Sequence, residues 1–95
     1  TTFGGNALAA AAGVAVLEEF EDRRLVENAA EVGAYFQERL RGLNAPQIRT
    51  VRGLGLMIGV EFREKVAPIV SALRDAGVLT INAGATVIRF VPPLT

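Results

Sequence analysis

Between Leu25 and Leu43 the residues Leu25, Ala29, Val32, Phe36, Leu40 and Leu43 recur at intervals of four, three, four, four and three. Only a helix gathers such a series into one stripe, and Glu27, Glu31, Glu38, Arg39 and Arg41 fall on its opposite face. An apolar stripe of this length needs a surface to cover. The chain supplies one directly after Asn44-Ala45-Pro46 ends the helix. A β-type segment begins with Ile48, Thr50 and Val51, and a second runs from Leu56 to Phe62. The Arg52-Gly53-Leu54-Gly55 connection between them is short and glycine-bearing, as a tight or bulged hairpin requires.

The remaining segments complete the pattern. Ala7 to Phe20 reads as an earlier helix whose small residues, Ala9 to Gly13, suit close approach to a neighbour, and the charged cluster Glu18 to Arg24 is its solvated end. A third helix spans about Glu64 to Ala76, with Pro68 near its first turn and Gly77 as its stop. Val78 to Ile81 is then a strand, Asn82 to Ala85 a loop, and Val87 to Val91 a last strand, closed by Pro92-Pro93. The fold class expected is α+β, a small, largely antiparallel sheet with helices packed on one face.

Ninety-five residues, 51% of them apolar, describe one small soluble domain with more apolar material than its own core can use, so a partner subunit or domain is expected. Zero net charge and no basic block argue against nucleic acid or an anionic membrane as the main partner. With no cysteine and no histidine, disulfides, Cys- or His-based nucleophilic dyads and the usual zinc ligand sets are excluded. No apolar run approaches the roughly 18 residues of a membrane span, and no signal peptide opens the chain, which fits a cytoplasmic protein.

Three places could carry chemistry. Thr1-Thr2-Phe3-Gly4-Gly5-Asn6 sets two hydroxyls and a Gly-Gly pair at a helix N-terminus, where free amides and the macrodipole favour an anion such as phosphate. The bland alternative is a glycine turn capped by Asn6. Arg89 is the one charge in an apolar strand, and a planar guanidinium is suited to hold a carboxylate through two parallel hydrogen bonds. Its bland alternative is an ion pair with one of the chain's own acids. Lys65, the only lysine, sits in the first turn of the third helix, a solvated position that does not suit a lysine anchoring pyridoxal phosphate. The series Gly53, Gly55, Gly59 is no dinucleotide fingerprint, because its last glycine comes one position late and a strand follows it.

Thr1 to Ala9, Val51-Arg52-Gly53-Leu54-Gly55-Leu56-Met57-Ile58-Gly59 and Ile88 to Leu94 resemble three successive motifs of the class III, or ω-amino-acid, pyridoxal-phosphate aminotransferases, nearest to the acetylornithine and lysine-biosynthetic branch. The resemblance implies the C-terminal small domain of a fold type I enzyme, a homodimer with active sites shared between subunits. The large domain with the cofactor lysine and the family's last helix would lie outside these residues. It implies that Thr2, with Gly4 and Gly5, binds the cofactor phosphate of the neighbouring subunit's site, that Thr1 touches substrate, and that Arg89 grips the carboxylate of the amino donor. No catalytic residue and no metal ligand is implied within the chain. Its small-molecule partners would be amino and keto acids. Ala7 departs from the family's usual proline and should loosen the loop without removing a ligand. A non-catalytic α+β interaction module, or an aminomutase or decarboxylase on the same scaffold, are the alternatives.

Overall fold

The helix that carries the apolar stripe begins abruptly. In the computed structural model, which describes residues 1–95, α1 (Ala7–Asp22) and α2 (Leu25–Gly42) are separated by two residues, and Arg24 takes the left-handed conformation with φ 49° and ψ 47°. That single left-handed residue redirects the chain. The face of α2 that meets the sheet runs through Leu25, Ala29, Gly33, Phe36 and Leu40, whereas Val32 and Leu43 stay 42% and 64% exposed. The stripe expected from the sequence is therefore displaced by one residue at its centre. Gly33, apolar only by its lack of a side chain, takes the place assigned to Val32.

Gly33 is where the hairpin docks. β1 (Ile48–Leu54) and β2 (Met57–Phe62) pair antiparallel from Leu54↔Met57 outward. The connection is thus the two residues Gly55 and Leu56, shorter than the Arg52-to-Gly55 link read from the sequence. Gly55 has φ 53°, which places a glycine at the first central position as a type II′ turn demands. Gly53 stays in the strand because a Cβ there would lie 2.5 Å from the Met57 carbonyl oxygen and 2.9 Å from Ile58 Cα. The turn rests on α2, with the Gly55 backbone against the bare Cα of Gly33, and Leu56 is buried.

A four-stranded sheet of order β1-β2-β4-β3 follows, every neighbour antiparallel, with β3 (Ile81–Asn82) and β4 (Val87–Phe90) supplying the other half. Between β2 and β3 the chain forms α3 (Ala67–Asp75). It starts later than the sequence suggested, because the Val66 N–H donates to Ala85 O at 2.9 Å and holds that residue outside the helix. Its end is a Schellman cap, with the Val78 N–H on Leu73 O, the Gly77 N–H on Arg74 O, and Gly77 at φ 85°. β3 is shorter than the Val78–Ile81 strand expected. The Val78 N–H is already held by Leu73 O in that cap, so Val78 belongs to the helix end rather than to the ladder.

Alternation sorts the two sheet faces. Val51, Ile58, Val60 and Ile88 are buried on the helix-covered face, where Phe36 and Leu40 of α2 pack and the Phe36 and Phe90 rings meet edge to face at 5.3 Å. Thr50, Arg52, Leu54, Met57 and Arg89 are exposed on the other face. The α+β architecture expected is the one observed, although α1 has no place in its core. No residue of α1 is buried, and Leu8 and Leu17 are 82% and 68% exposed. The radius of gyration, 16.9 Å, exceeds the roughly 12 Å of a compact chain of this length because α1 stands clear of the sheet. Its small-residue half meets no neighbour within the chain. The β1 edge is covered in part, as Arg41 donates to Val51 O at 3.0 Å and the register shifts between Ile48 and Thr50.

Candidate functional site

The head of α1 is built by Asn6. Its Oδ1 accepts from the Ala9 N–H at 2.9 Å as an N-cap, and its Nδ2 donates to Phe3 O at 2.8 Å, folding the preceding residues into a turn. Gly5 takes φ 76°, open to glycine at little cost. A Cβ on Gly4 would fall on the Thr1 hydroxyl, so the Thr1 side chain occupies the space that glycine leaves. The amides of Gly4 and Gly5 donate to no backbone acceptor, and all of Thr1–Asn6 is exposed. Asn6 caps the turn, as one reading of the sequence expected, and the turn leaves hydroxyls and two amides exposed at the positive end of a helix. Those groups fit a phosphate.

Arg89 lies on the helix-free sheet face, exposed, and in none of the chain's ion pairs. The internal salt bridge that would have explained it does not form. It lines a cleft of about 280 Å³ with Arg52, Met57, Gly59 and Val87. Thr1–Asn6 has no part in that cleft. By the rise of an α-helix, the head of α1 stands roughly 24 Å along its axis from the junction with α2. The structure therefore does not bring Thr1, Thr2, Gly4 and Gly5 together with Arg89. Lys65 is exposed in the bend between β2 and α3 and lines neither place. The chain fits the phosphate end of pyridoxal phosphate and offers no anchor for its aldehyde end.

A charged group beside Arg89 escaped the sequence reading. Glu61 accepts from Arg52 Nη1 at 2.8 Å through one oxygen and from Arg49 Nη1 at 3.3 Å through the other. Placing the turn at Arg52–Gly55 removed Arg52 from the strand and hid its shared face with Glu61; the alternation about a Gly55-Leu56 turn would have revealed it. The hydrogen bond from Arg52, aided by the Arg49 charge, holds the Glu61 carboxyl below the ordinary carboxylate range against a smaller desolvation effect. A lowered folded value means stabilisation that is complete above the ordinary value and lost as pH falls through the lowered one. Glu61→Gln is expected to melt lower than the parent at neutral pH and to converge with it only as pH falls from the ordinary glutamate range through the lowered folded value. Thermal melts from pH 7 to 3 check this, and a gap constant across the series would reject it.

Comparison with known proteins adds the following. A family model described as aminotransferase class-III matches residues 1–95. The [LysW]-aminoadipate semialdehyde transaminase of Deinococcus radiodurans is 54% identical over 94 residues, 98% of this chain and 22% of that protein. The ornithine aminotransferase of Bacillus subtilis is 46% identical over 94 residues, 99% of this chain and 23% of that protein. Among solved structures, an ornithine aminotransferase from Toxoplasma gondii superposes with a TM-score of 0.93 at 37% identity, covering 100% of this chain and 24% of that one; it is described with partial occupancy of PLP at its active site. The acetylornithine aminotransferase of Elizabethkingia anophelis gives a TM-score of 0.93 at 31% identity, covering 100% of this chain and 25% of that one. The chain spans about a quarter of the length of these relatives.

Proposed function

Because the chain belongs to the class III aminotransferase family, we propose that it is the C-terminal small domain of a longer, cytoplasmic, pyridoxal-phosphate-dependent transaminase. Its substrate would be an ω-amino acid of the ornithine, acetylornithine or carrier-linked aminoadipate semialdehyde kind, the substrates in its relatives' names. The carrying observation is that the family match runs from Thr1 to Thr95 without a break. No helix here is long and apolar enough to cross a membrane.

When bound, pyridoxal phosphate supplies the electron sink that amino-group transfer needs. This chain's residues bind and orient. The Thr2 hydroxyl and the Gly4 and Gly5 amides donate to the phosphate, aided by the α1 dipole, and Thr1 touches substrate. Arg89 fixes the substrate carboxylate through two parallel N–H···O bonds. The distance between the head of α1 and the sheet supports a homodimer in which Thr2 serves one active site and Arg89 another. The exposed apolar residues of α1 support a covering partner, whether domain or subunit.

Thr2→Val in the full-length enzyme tests this. Losing one hydroxyl donor to a charged phosphate is expected to weaken cofactor affinity about tenfold, read by absorbance titration of the apoenzyme. Unchanged affinity would remove Thr2 from the phosphate site.

A further inference from the structure

From Val78 to Ile81 the residue types are those of a strand, yet β3 keeps only Ile81 and Asn82. The cap of α3 takes the Val78 N–H and accounts for Val78 alone. Leu79 and Thr80 make no backbone hydrogen bond, and neither does Val91 on the neighbouring segment. In an antiparallel ladder, hydrogen-bonded pairs alternate with open ones. The Ala83 N–H on Val87 O marks one bonded pair and Ile81↔Arg89 falls on the next, so Leu79 and Val91 stand where a third belongs. That pair is not made.

Where it is missing, a cavity of about 560 Å³ opens. Leu79 and Thr80 line it from one segment, Phe90, Val91 and Pro92 from the other, and Phe36 from α2. Leu79 is 87% exposed. The Thr80 hydroxyl is buried and has no partner, the one buried side-chain oxygen or nitrogen in the molecule of which that is true. Such a group is costly to leave unmet. The cavity therefore lacks both apolar cover and hydrogen-bonding groups.

One chemistry brings both. An extended polypeptide carries alternating N–H and C=O groups along its edge with side chains above and below them, and an exposed edge of strand-type residues is the surface that receives it. Size decides whose polypeptide it is. Leu79, Thr80 and Val91 offer a ladder far smaller than the roughly 800 Å² a side of a stable interface between separate molecules, so a second copy or a free peptide would not be held. A tethered segment needs no such area, because its docking is intramolecular. The relatives of this chain are about four times its length, which leaves ample polypeptide to supply one.

We propose that Leu79, Thr80 and Val91 form a docking slot for an extended, apolar segment of the longer polypeptide, which continues the ladder that β3 begins and gives the Thr80 hydroxyl its partner. The inference rests on the reading of this chain as one domain of a longer transaminase. The slot joins that domain to the rest through main-chain hydrogen bonds, at the side of the sheet remote from β1.

Hydrogen exchange in the full-length enzyme, and a photocrosslinker in place of Leu79, test the slot. The Leu79 and Thr80 amides are expected to exchange at least about tenfold more slowly than in a free peptide, the equivalent of one net hydrogen bond. A p-benzoylphenylalanine at position 79 is expected to link, within one chain, to a single segment outside residues 1–95. Thr80→Val should lower the melting midpoint and Thr80→Ser should largely keep it. Free-peptide exchange rates, or crosslinks confined to residues 1–95, overturn the slot. A dimer-sized product overturns the tethered segment in favour of a second copy, and a crosslink with fast amides overturns the strand in favour of side-chain cover. A Thr80→Val enzyme that melts at or above the parent overturns the partnered hydroxyl. Exchange is read on the unsubstituted enzyme, so it decides the matter even where a variant fails to fold. Each adverse result can occur in an enzyme that binds pyridoxal phosphate and transfers amino groups, which leaves the family reading standing; a full-length protein that does neither overturns that reading instead.

Discussion

Gly33→Ala is expected to destabilise the chain by about 1–3 kcal/mol, the range for forcing an extra methyl into a packed contact. The sign makes the result diagnostic. Within an exposed helix, replacing glycine by alanine normally stabilises by about 1 kcal/mol. At Gly33 the new Cβ would collide with the carbonyl group of Gly55, and backbone in a two-residue turn cannot rotate away as a flexible side chain can. Either α2 lifts off the hairpin or the turn distorts, and Leu56, Ile58 and Phe36 lose packing in both cases. For a domain of this size the melting midpoint should fall by roughly 4–8 °C per kcal/mol. Gly13→Ala in α1 is the matched control, because nothing lies within 4 Å of its Cβ position. That variant should gain helicity by circular dichroism. If Gly33→Ala is as stable as the parent, the close approach of α2 to the hairpin is wrong.

Arg89→Leu in the full-length enzyme is expected to raise the KM for the amino donor about 10- to 100-fold, the equivalent of one charge-assisted contact. Leucine preserves a comparable apolar stem on an exposed strand position, so the melting midpoint should hardly move. Arg89→Lys should recover only part of the loss, because an ammonium group keeps the charge but cannot present two parallel donors. A carboxylate substrate that saturates Arg89→Leu normally would take Arg89 out of the site. So would a loss that tracks instability rather than KM.

Much of this molecule was legible in its sequence, and the gaps have physical causes. The helices were readable because their apolar period repeats over many residues, and the strands because β-branched residues cluster between glycines and prolines. What periodicity could not register was a contact made by an absent side chain: Val32 looked like core and Gly33 did not, yet the hairpin turn needs bare backbone. β3 is shorter than composition implies because Val78, the first of its strand-type residues, gives its N–H to Leu73 O in the cap of α3. Of the site, the capped turn at Asn6 follows from local chemistry, whereas the choice between a free and an ion-paired Arg89 needed the strand register. The Arg49–Glu61–Arg52 group depended on a turn placed two residues later than the glycines suggested. The separation between the head of α1 and the sheet is a three-dimensional fact with no sequence signature.

The strand order has a temporal consequence. β4, last of the strands in sequence, lies inside the sheet, while β1 and β2 and the helix that covers them are contiguous in the chain. Local pairings close at small entropic cost and distant ones later. The α2–hairpin unit can therefore assemble early, with one side of β2 left unsatisfied until Val87–Phe90 arrives between it and Ile81–Asn82. Arg89 is carried on that last arrival, so the face that presents its guanidinium comes into existence only when the sheet itself is finished.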